Sequence, residues 1–398
     1  MGGGGYPPMR LSDTRRTRLA LSLRCVILAT LAINFATAAN AQWQIETAPT
    51  TADLRGIQNL GKGVAWASGT DGTVLRTTDD GNHWQRCATP PGAEQLDFRG
   101  IQAFNASAAI VMSSGKGPLS RLYRTSDACQ TWSLLFTNPE PEGFFDGFTA
   151  QKDSPIMVLG DPVKGSMTVW LGGDRTTGWN RNQLEGLKVS SDTTAFAASN
   201  SGLMQEPLFI TAFVTGGPQP SFFWRPVEPA LRPSTWKASL YWSRAELPVA
   251  RGPTAGAFSI AHTEDFNLFG SRYPALYTRI VVVGGDYQKP DQSAGTAAFT
   301  LDAGQAWRAA HTPPHGYRSS VAYYAREKTY IAVGPNGTDI SSDDGYNWRA
   351  LRPDPALPEP ADKIPEDQHW NAISLPFVVG PHGRIGKLRP TALKTATP

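Results

Sequence analysis

Three arginines in this 398-residue chain share one local context. Arg55 sits in Leu54-Arg55-Gly56, Arg99 in Phe98-Arg99-Gly100 and Arg318 in Tyr317-Arg318-Ser319. Asp146, in Phe145-Asp146-Gly147, fills the same place with the opposite charge, and Asp161 and Asp286 each end an apolar run. A guanidinium is a planar fork of donors that grips a carboxylate in two places. Gathered at one opening, these Arg and Asp residues, with Tyr287 and Tyr317 beside them, would recognise a polar ligand. Paired with each other, the same charges would instead lock together the elements that carry them, because charges leaving water need partners. The sequence leaves both readings open.

Other chemistries lack their residues. No G-x-G-x-x-G follows a strand pattern, no C-x-x-C-H is present to hold a haem, and no G-x-S-x-G elbow offers a serine nucleophile. The six histidines are scattered, and Pro313 and Pro314 between His311 and His315 forbid the helix that an i, i+4 metal pair requires. No catalytic residue, metal or cofactor is assigned.

What positions the charged residues is a repeat. Thr77 to Trp84 reads T-x-D-x-G-x-x-W, with Asp79, Gly81 and Trp84 at the fixed places. Asp302, Gly304 and Trp307 repeat it, and so do Asp343, Gly345 and Trp348. Asp127 and Trp132 keep the pattern with Cys129 in the glycine place, and Asp174 with Trp179 makes a weak fifth copy. This is turn chemistry. The Asp accepts from backbone N–H groups ahead of it, the Gly takes a positive φ, and the Trp buries a large face on neighbouring strands. Each copy offers one carboxylate at its fixed place and no ligand cluster, so these residues read as structural and not as a calcium site.

A second repeat lies upstream of the turns. Bulky anchors at Leu54, Phe98, Phe145, Phe196, Phe258, Tyr317 and Trp370 are each followed by a variable residue. The variable residues are Arg55, Arg99, Asp146, Ala197, Ser259, Arg318 and Asn371. Alternating apolar strands ending in Gly-containing loops follow most anchors. Strand, strand, loop, strand, turn, strand is one four-stranded blade, so seven anchors predict an all-β, seven-bladed β-propeller. The variable residues and the loops bearing Asp161, Asp286 and Tyr287 then share one face, opposite the repeated turns. The last blade lacks a fourth strand, and Trp43-Gln44-Ile45-Glu46 is expected to supply it and close the ring, removing two exposed edges.

Residues 1–41 read as a signal peptide. Arg15, Arg16 and Arg18 precede an apolar stretch from Leu19 to about Phe35, which ends at Ala39-Asn40-Ala41. Removing 1–41 takes five arginines and one aspartate from the 37 basic and 34 acidic residues, leaving 32 against 33. The apparent +3 charge is therefore carried by the leader, and an electrostatic drive toward nucleic acid is absent. The expectation is an exported protein, periplasmic or extracellular, monomeric and with no transmembrane segment after cleavage. The propeller spans 42–389 and a disordered tail spans 390–398. Cys87 and Cys129 remain, either as a disulfide or as two buried thiols.

The repeated turns resemble the Asp-box, or BNR repeat, of sialidase-type propellers. Together with Trp66-Ala67-Ser68-Gly69, Val283-Gly284-Gly285-Asp286-Tyr287 and Gly316-Tyr317-Arg318-Ser319, they resemble exported propellers of the photosystem II stability/assembly factor-like family. Many bacterial members carry the label oxidoreductase, which nothing in the motifs supports. The resemblance implies a luminal or exported scaffold that binds a protein partner at the channel mouth, without intrinsic catalysis. The alternative is a sialidase-like or other polysaccharide-active hydrolase. Arg55, Arg99 and Arg318 would then be a carboxylate-gripping triad, Tyr317 or Tyr287 the nucleophile, and Asp146, Asp161 or Asp286 the acid. The Arg-Ile-Pro start of that family is missing.

Overall fold

The repeated turn shows why the chain folds into blades. In a computed structural model, residues 1–5, 42–151, 155–173, 178–181, 186–206, 210–226, 241–263, 279–351, 367–390 and 392–393 are described. At the first turn Asp79 Oδ1 accepts from the His83 N–H at 2.9 Å and from the Thr77 hydroxyl at 2.8 Å. The same Thr77 hydroxyl oxygen accepts from the Gly81 N–H at 3.1 Å. Asp127, Asp302 and Asp343 repeat this with Thr125, Thr300 and Ser341. Hydrogen bonds from the His83 N–H and ring lower the pKa of Asp79 to about 2, and those from the Thr131 hydroxyl and N–H do the same for Asp127.

The glycine of the turn is needed twice over. Gly345 has φ 88°, and a β-carbon there would come within 2.7 Å of Val281 on the preceding blade. Cys129 takes this place at φ 62° and turns the close approach into a covalent link. It is disulfide-bonded to Cys87 of the preceding blade, with the α-carbons 5.3 Å apart. The indole of each turn also reaches back a blade. Trp84 packs edge-on against Phe377 at 5.6 Å, and Trp132 donates to the Ala88 carbonyl at 2.9 Å. Asp174 of the weak copy lies outside the described residues, but Trp179 behaves as its counterparts do, stacking on Phe136 at 4.1 Å.

Seven antiparallel sheets result. Blade 1 comprises Leu54–Gly61, Val64–Gly69, Val74–Thr77 and Gln85–Arg86, and blade 2 comprises Phe98–Ala103, Ala109–Ser113, Arg121–Thr125 and Ser133–Thr137. Blade 3 is Phe145–Thr149, Ile156–Val163, Ser166–Gly172 and Asn180–Arg181, and blade 4 is Leu203–Glu206, Ile210–Val214, Ser221–Pro226 and Ser243–Glu246. Blade 5 is Gly252–His262, Ile280–Asp286, Ala297–Thr300 and Arg308–Ala309, with Gly216–Gly217 added at its inner edge. Blade 6 is Ser320–Tyr324, Thr329–Gly334, Gly337–Ser341 and Arg349–Ala350. Blade 7 is Ala372–Ser374, Phe377–Val379, Ile385–Leu388 and, as its fourth strand, Trp43–Glu46, paired from Trp43 with Leu388 to Glu46 with Ile385.

The first strands contact one another all the way round, blade 7 against blade 1 included, so the ring is closed. The core is seven wedges, one between each pair of adjacent blades. Each sheet is thus covered on both faces. That is why second strands such as Ala109–Ser113 and Thr329–Gly334 are buried at every residue, where the sequence predicts alternation. Blade 4 also departs from expectation. Its first strand begins at Leu203, and Phe196 lies in an irregular segment, stacked on Phe258 at 3.8 Å. Of the expected tail, Ala392 and Leu393 are described and pack in the wedge that holds Trp43 and Trp370.

Candidate channel-mouth binding site

The first strands carry bulges, and the bulges aim the charges. Leu54 pairs with Gly69 and Gly56 with Ser68, so Arg55 is the extra residue, and Arg99 and Asp146 are extra in the same way in blades 2 and 3. A bulged residue leaves the ladder and its side chain is redirected. In blade 5 the extra residue is Phe258, between the pairings of Ala257 and Ser259. Ser259 is therefore not the mouth residue. Its hydroxyl bonds Ser201 at 2.6 Å and accepts from the Val321 N–H.

Arg318 is likewise displaced by one position. The N–H of Leu54 donates to the Gly380 carbonyl of the preceding blade, that of Trp370 to Gly334 and that of Arg318 to Gly284. Arg318 thus stands at the anchor, where Leu54 and Trp370 stand, and it is fully buried. Its guanidinium is bonded to Asp339, to Asn336 and to the Tyr317 carbonyl. The triad of Arg55, Arg99 and Arg318 does not form, because the third guanidinium faces the interior of blade 6.

Arg55 and Arg99 stay partly open instead, with side chains 30% and 32% exposed. Asp97 lies between them. Its Oδ2 accepts from Arg99 Nε at 2.7 Å, and its Oδ1 is 3.9 Å from Arg55 Nε. Arg99 also donates to the Ala197 carbonyl at 3.2 Å, and Asp53 is 3.7 Å from Arg55. Asp53 and Asp97 were legible, since Asp-x-Arg-Gly-Ile occurs at both places. Among the described residues Arg55 makes ion pairs but no direct hydrogen bond, and its buried Nε has only the long contact to Asp97. The cluster both bridges blades 1 and 2 and keeps donors available.

The three expected aspartates differ in what they do. Asp286 closes a turn, accepting from the Thr254 hydroxyl at 2.7 Å and the Gln288 N–H at 3.0 Å, with Lys289 at 3.5 Å. Burial works against that carboxylate, but these donors outweigh it and hold its pKa below the usual range. Asp161 accepts from Thr194 and the Ala195 N–H, yet burial keeps its pKa raised. Asp146 is buried, and burial together with the Asp161 charge pushes its pKa well up against the pull of Arg99. Tyr287 is exposed and stands edge-on to Phe196 and Phe258. Tyr317 is buried against Phe258 at 4.9 Å. Burial and Tyr287 raise its pKa despite Arg55 and Arg99, the reverse of what an activated nucleophile needs.

Among the described residues no group of three His, Cys, Asp or Glu is placed to hold a metal ion, and no helix is long and apolar enough to cross a membrane. A closed seven-bladed ring with a charged and aromatic mouth is the class of protein this geometry defines. Two of the solved structures that share the fold are similar over most of this chain. One is "YCF48 bound to D1 peptide", 14% identical, covering 87% of this chain and 95% of that chain with a TM-score of 0.55. The other is "YCF48 from Cyanidioschyzon merolae", 17% identical, covering 88% and 99% with a TM-score of 0.51. At these identities the likeness is one of architecture. No family model matches the sequence, and no curated protein matches it.

Proposed function

We propose that this chain is an exported propeller scaffold that binds a segment of a protein partner at its channel mouth, in the manner of photosystem II assembly factor-like propellers, and acts by binding rather than turnover. The observation that carries the reading is the pair Arg55 and Arg99. They are raised on bulges of adjacent blades and partly exposed, and among the described residues Arg55 makes ion pairs but no direct hydrogen bond, which suits a guanidinium that takes a carboxylate. The shared architecture with a YCF48 bound to a D1 peptide supports a peptide as the occupant.

The test is affinity capture from an envelope extract with wild type and an Arg55→Ala/Arg99→Ala variant. A protein retained by wild type and lost from a folded double variant supports the reading. Equal retention by both counts against it. Export is supported by the arginine-led apolar leader and by the disulfide, which suits an oxidising compartment. Mass spectrometry of the periplasmic or culture fraction should find a chain that begins at Gln42. An uncleaved chain in the cytoplasm would contradict export.

A further inference from the structure

Beside the arginines the mouth holds a feature of opposite chemistry. Asp146 is 4% exposed, and its Oδ2 has no hydrogen-bond partner among the described residues. A buried acceptor left unsatisfied is costly, so such an atom marks a place for a donor. It lines a small recess walled by Leu159, Ala195, Phe196 and Phe258. The Phe196 and Phe258 rings lie stacked, 5° from parallel, and Tyr287 stands at 84° to both. Asp161 is held rigidly beside this site by Thr194 and the Ala195 N–H. The recess thus combines a carboxylate with a free oxygen, a second carboxylate nearby and aromatic faces, whose quadrupoles attract cations.

We propose that this recess binds a primary ammonium group, supplied by the partner segment that the mouth accepts. The source of the ammonium rests on the reading above, whereas the site itself does not. The free space in the recess is of the order of one water molecule, which suits a compact ammonium better than a planar guanidinium. An ammonium has three donors, one of which would satisfy Asp146 Oδ2. The charged groups facing Asp146 are Asp161 and Arg99, and the net push on its pKa is upward. A bound ammonium would replace the proton as the partner of the carboxylate. With Arg55 and Arg99 alongside, the mouth then selects a segment that carries a carboxylate and an ammonium.

The test is NMR titration of the intact protein, following the ring signals of Phe258 and Tyr287. Methylammonium is the probe and methanol the neutral control. Nα-acetyl-lysine methylamide and glycine methylamide distinguish a side-chain from an N-terminal ammonium. Saturable shifts are expected with methylammonium and not with methanol. Asp146→Asn should weaken them about tenfold or more, as loss of a charged hydrogen bond does. Phe258→Leu, which keeps the packing but removes the π face, should weaken them several-fold. Identical shifts with methanol, no saturable shift, or full binding by a folded Asp146→Asn protein would each overturn the proposal and leave a recess that holds only water. Such a result would leave the protein-segment reading standing, because that is read by capture with the arginine variant.

Discussion

Arg318 and Asp339 form a buried ion pair where blade 1 has two leucines. Gly334 matches Gly69, so Asp339, paired with Ala332, matches Leu75, paired with Ala67, just as Arg318 matches Leu54. All four side chains are fully buried. Burial opposes the Asp339 charge, but Arg318 and His315 outweigh it and hold its pKa down. Removing one member strands the other, at a cost of about 3–5 kcal/mol. Arg318→Leu should therefore destabilise by that amount in chemical denaturation. Arg318→Leu with Asp339→Leu, which recreates the blade 1 pair, should come within about 1 kcal/mol of wild type or exceed it. A double variant as unstable as the single one would show that the pair is not a substitute for an apolar contact.

The disulfide between Cys87 and Cys129 ties blade 1 to blade 2 across 42 residues of chain. Closing a loop of that length is worth about 4 kcal/mol on a chain-entropy basis. Reduction, or Cys87→Ser, should lower the melting temperature while the fold is retained. Thiol titration of the unfolded, non-reduced chain cleaved at Gln42 should find no free cysteine. Two free thiols would contradict the link.

Closure by Trp43–Glu46 can be tested by truncation. Trp43 is 1% exposed, and its indole donates to Asp367 Oδ1 at 3.0 Å. Truncating a buried Trp costs about 3–5 kcal/mol. Trp43→Ala should lose that much, and deletion of residues 42–48 should lose more by also removing the fourth strand of blade 7. Unchanged thermal stability of the deletion variant would sink the closure account.

The same seam should be pH-sensitive. Asp367 accepts from Trp43, Trp370 and Thr338, but burial outweighs these bonds and raises its pKa to about 6. Its unfolded value is near 3.9, so the unfolded chain releases this proton first. The contribution of this group is therefore full below about pH 4 and is lost as pH rises through about 6. The loss would be up to about 3 kcal/mol between those limits. The depressed pKa of Asp339 acts only in more acid solution and does not offset it. Denaturation at pH 4.5 and 7 should show this fall in wild type and a flatter profile in Asp367→Asn. Parallel profiles would rule the carboxylate out as the cause.

The architecture was readable because its turns are chemically demanding. Asp79, Gly81 and Trp84 each answer a separate need, and so recur wherever that hairpin does. The closing strand was readable from the same logic, since Trp43 looks like the strand that follows a turn. The projecting residues were legible only where a bulky apolar anchor precedes them, as Leu54 precedes Arg55 and Phe98 precedes Arg99. At Arg318 the anchor is charged and an aromatic Tyr317 precedes it, so the sequence pattern points to Tyr317 and places Arg318 at the surface, whereas it is buried. At Ser259 the pattern slips by one for a different reason, because the anchor Ala257 is small and the bulky Phe258 is the projecting residue. Blade 4 hid its start because Phe196 serves the mouth and not the ladder. No period in the sequence carries register at that level. It emerged only from which N–H meets which carbonyl.

A protein segment seated at the mouth would lie within reach of Tyr287. Photo-crosslinking tests this placement most directly, with a benzophenone amino acid in place of Tyr287 at the mouth or of Tyr346 in a repeated turn on the opposite face. Both positions are comparably exposed, at 46% and 45%. A discrete adduct with an envelope protein is expected from position 287 and none from position 346. Adducts from 346 alone, or equal adducts from both faces, would contradict a segment seated at the mouth.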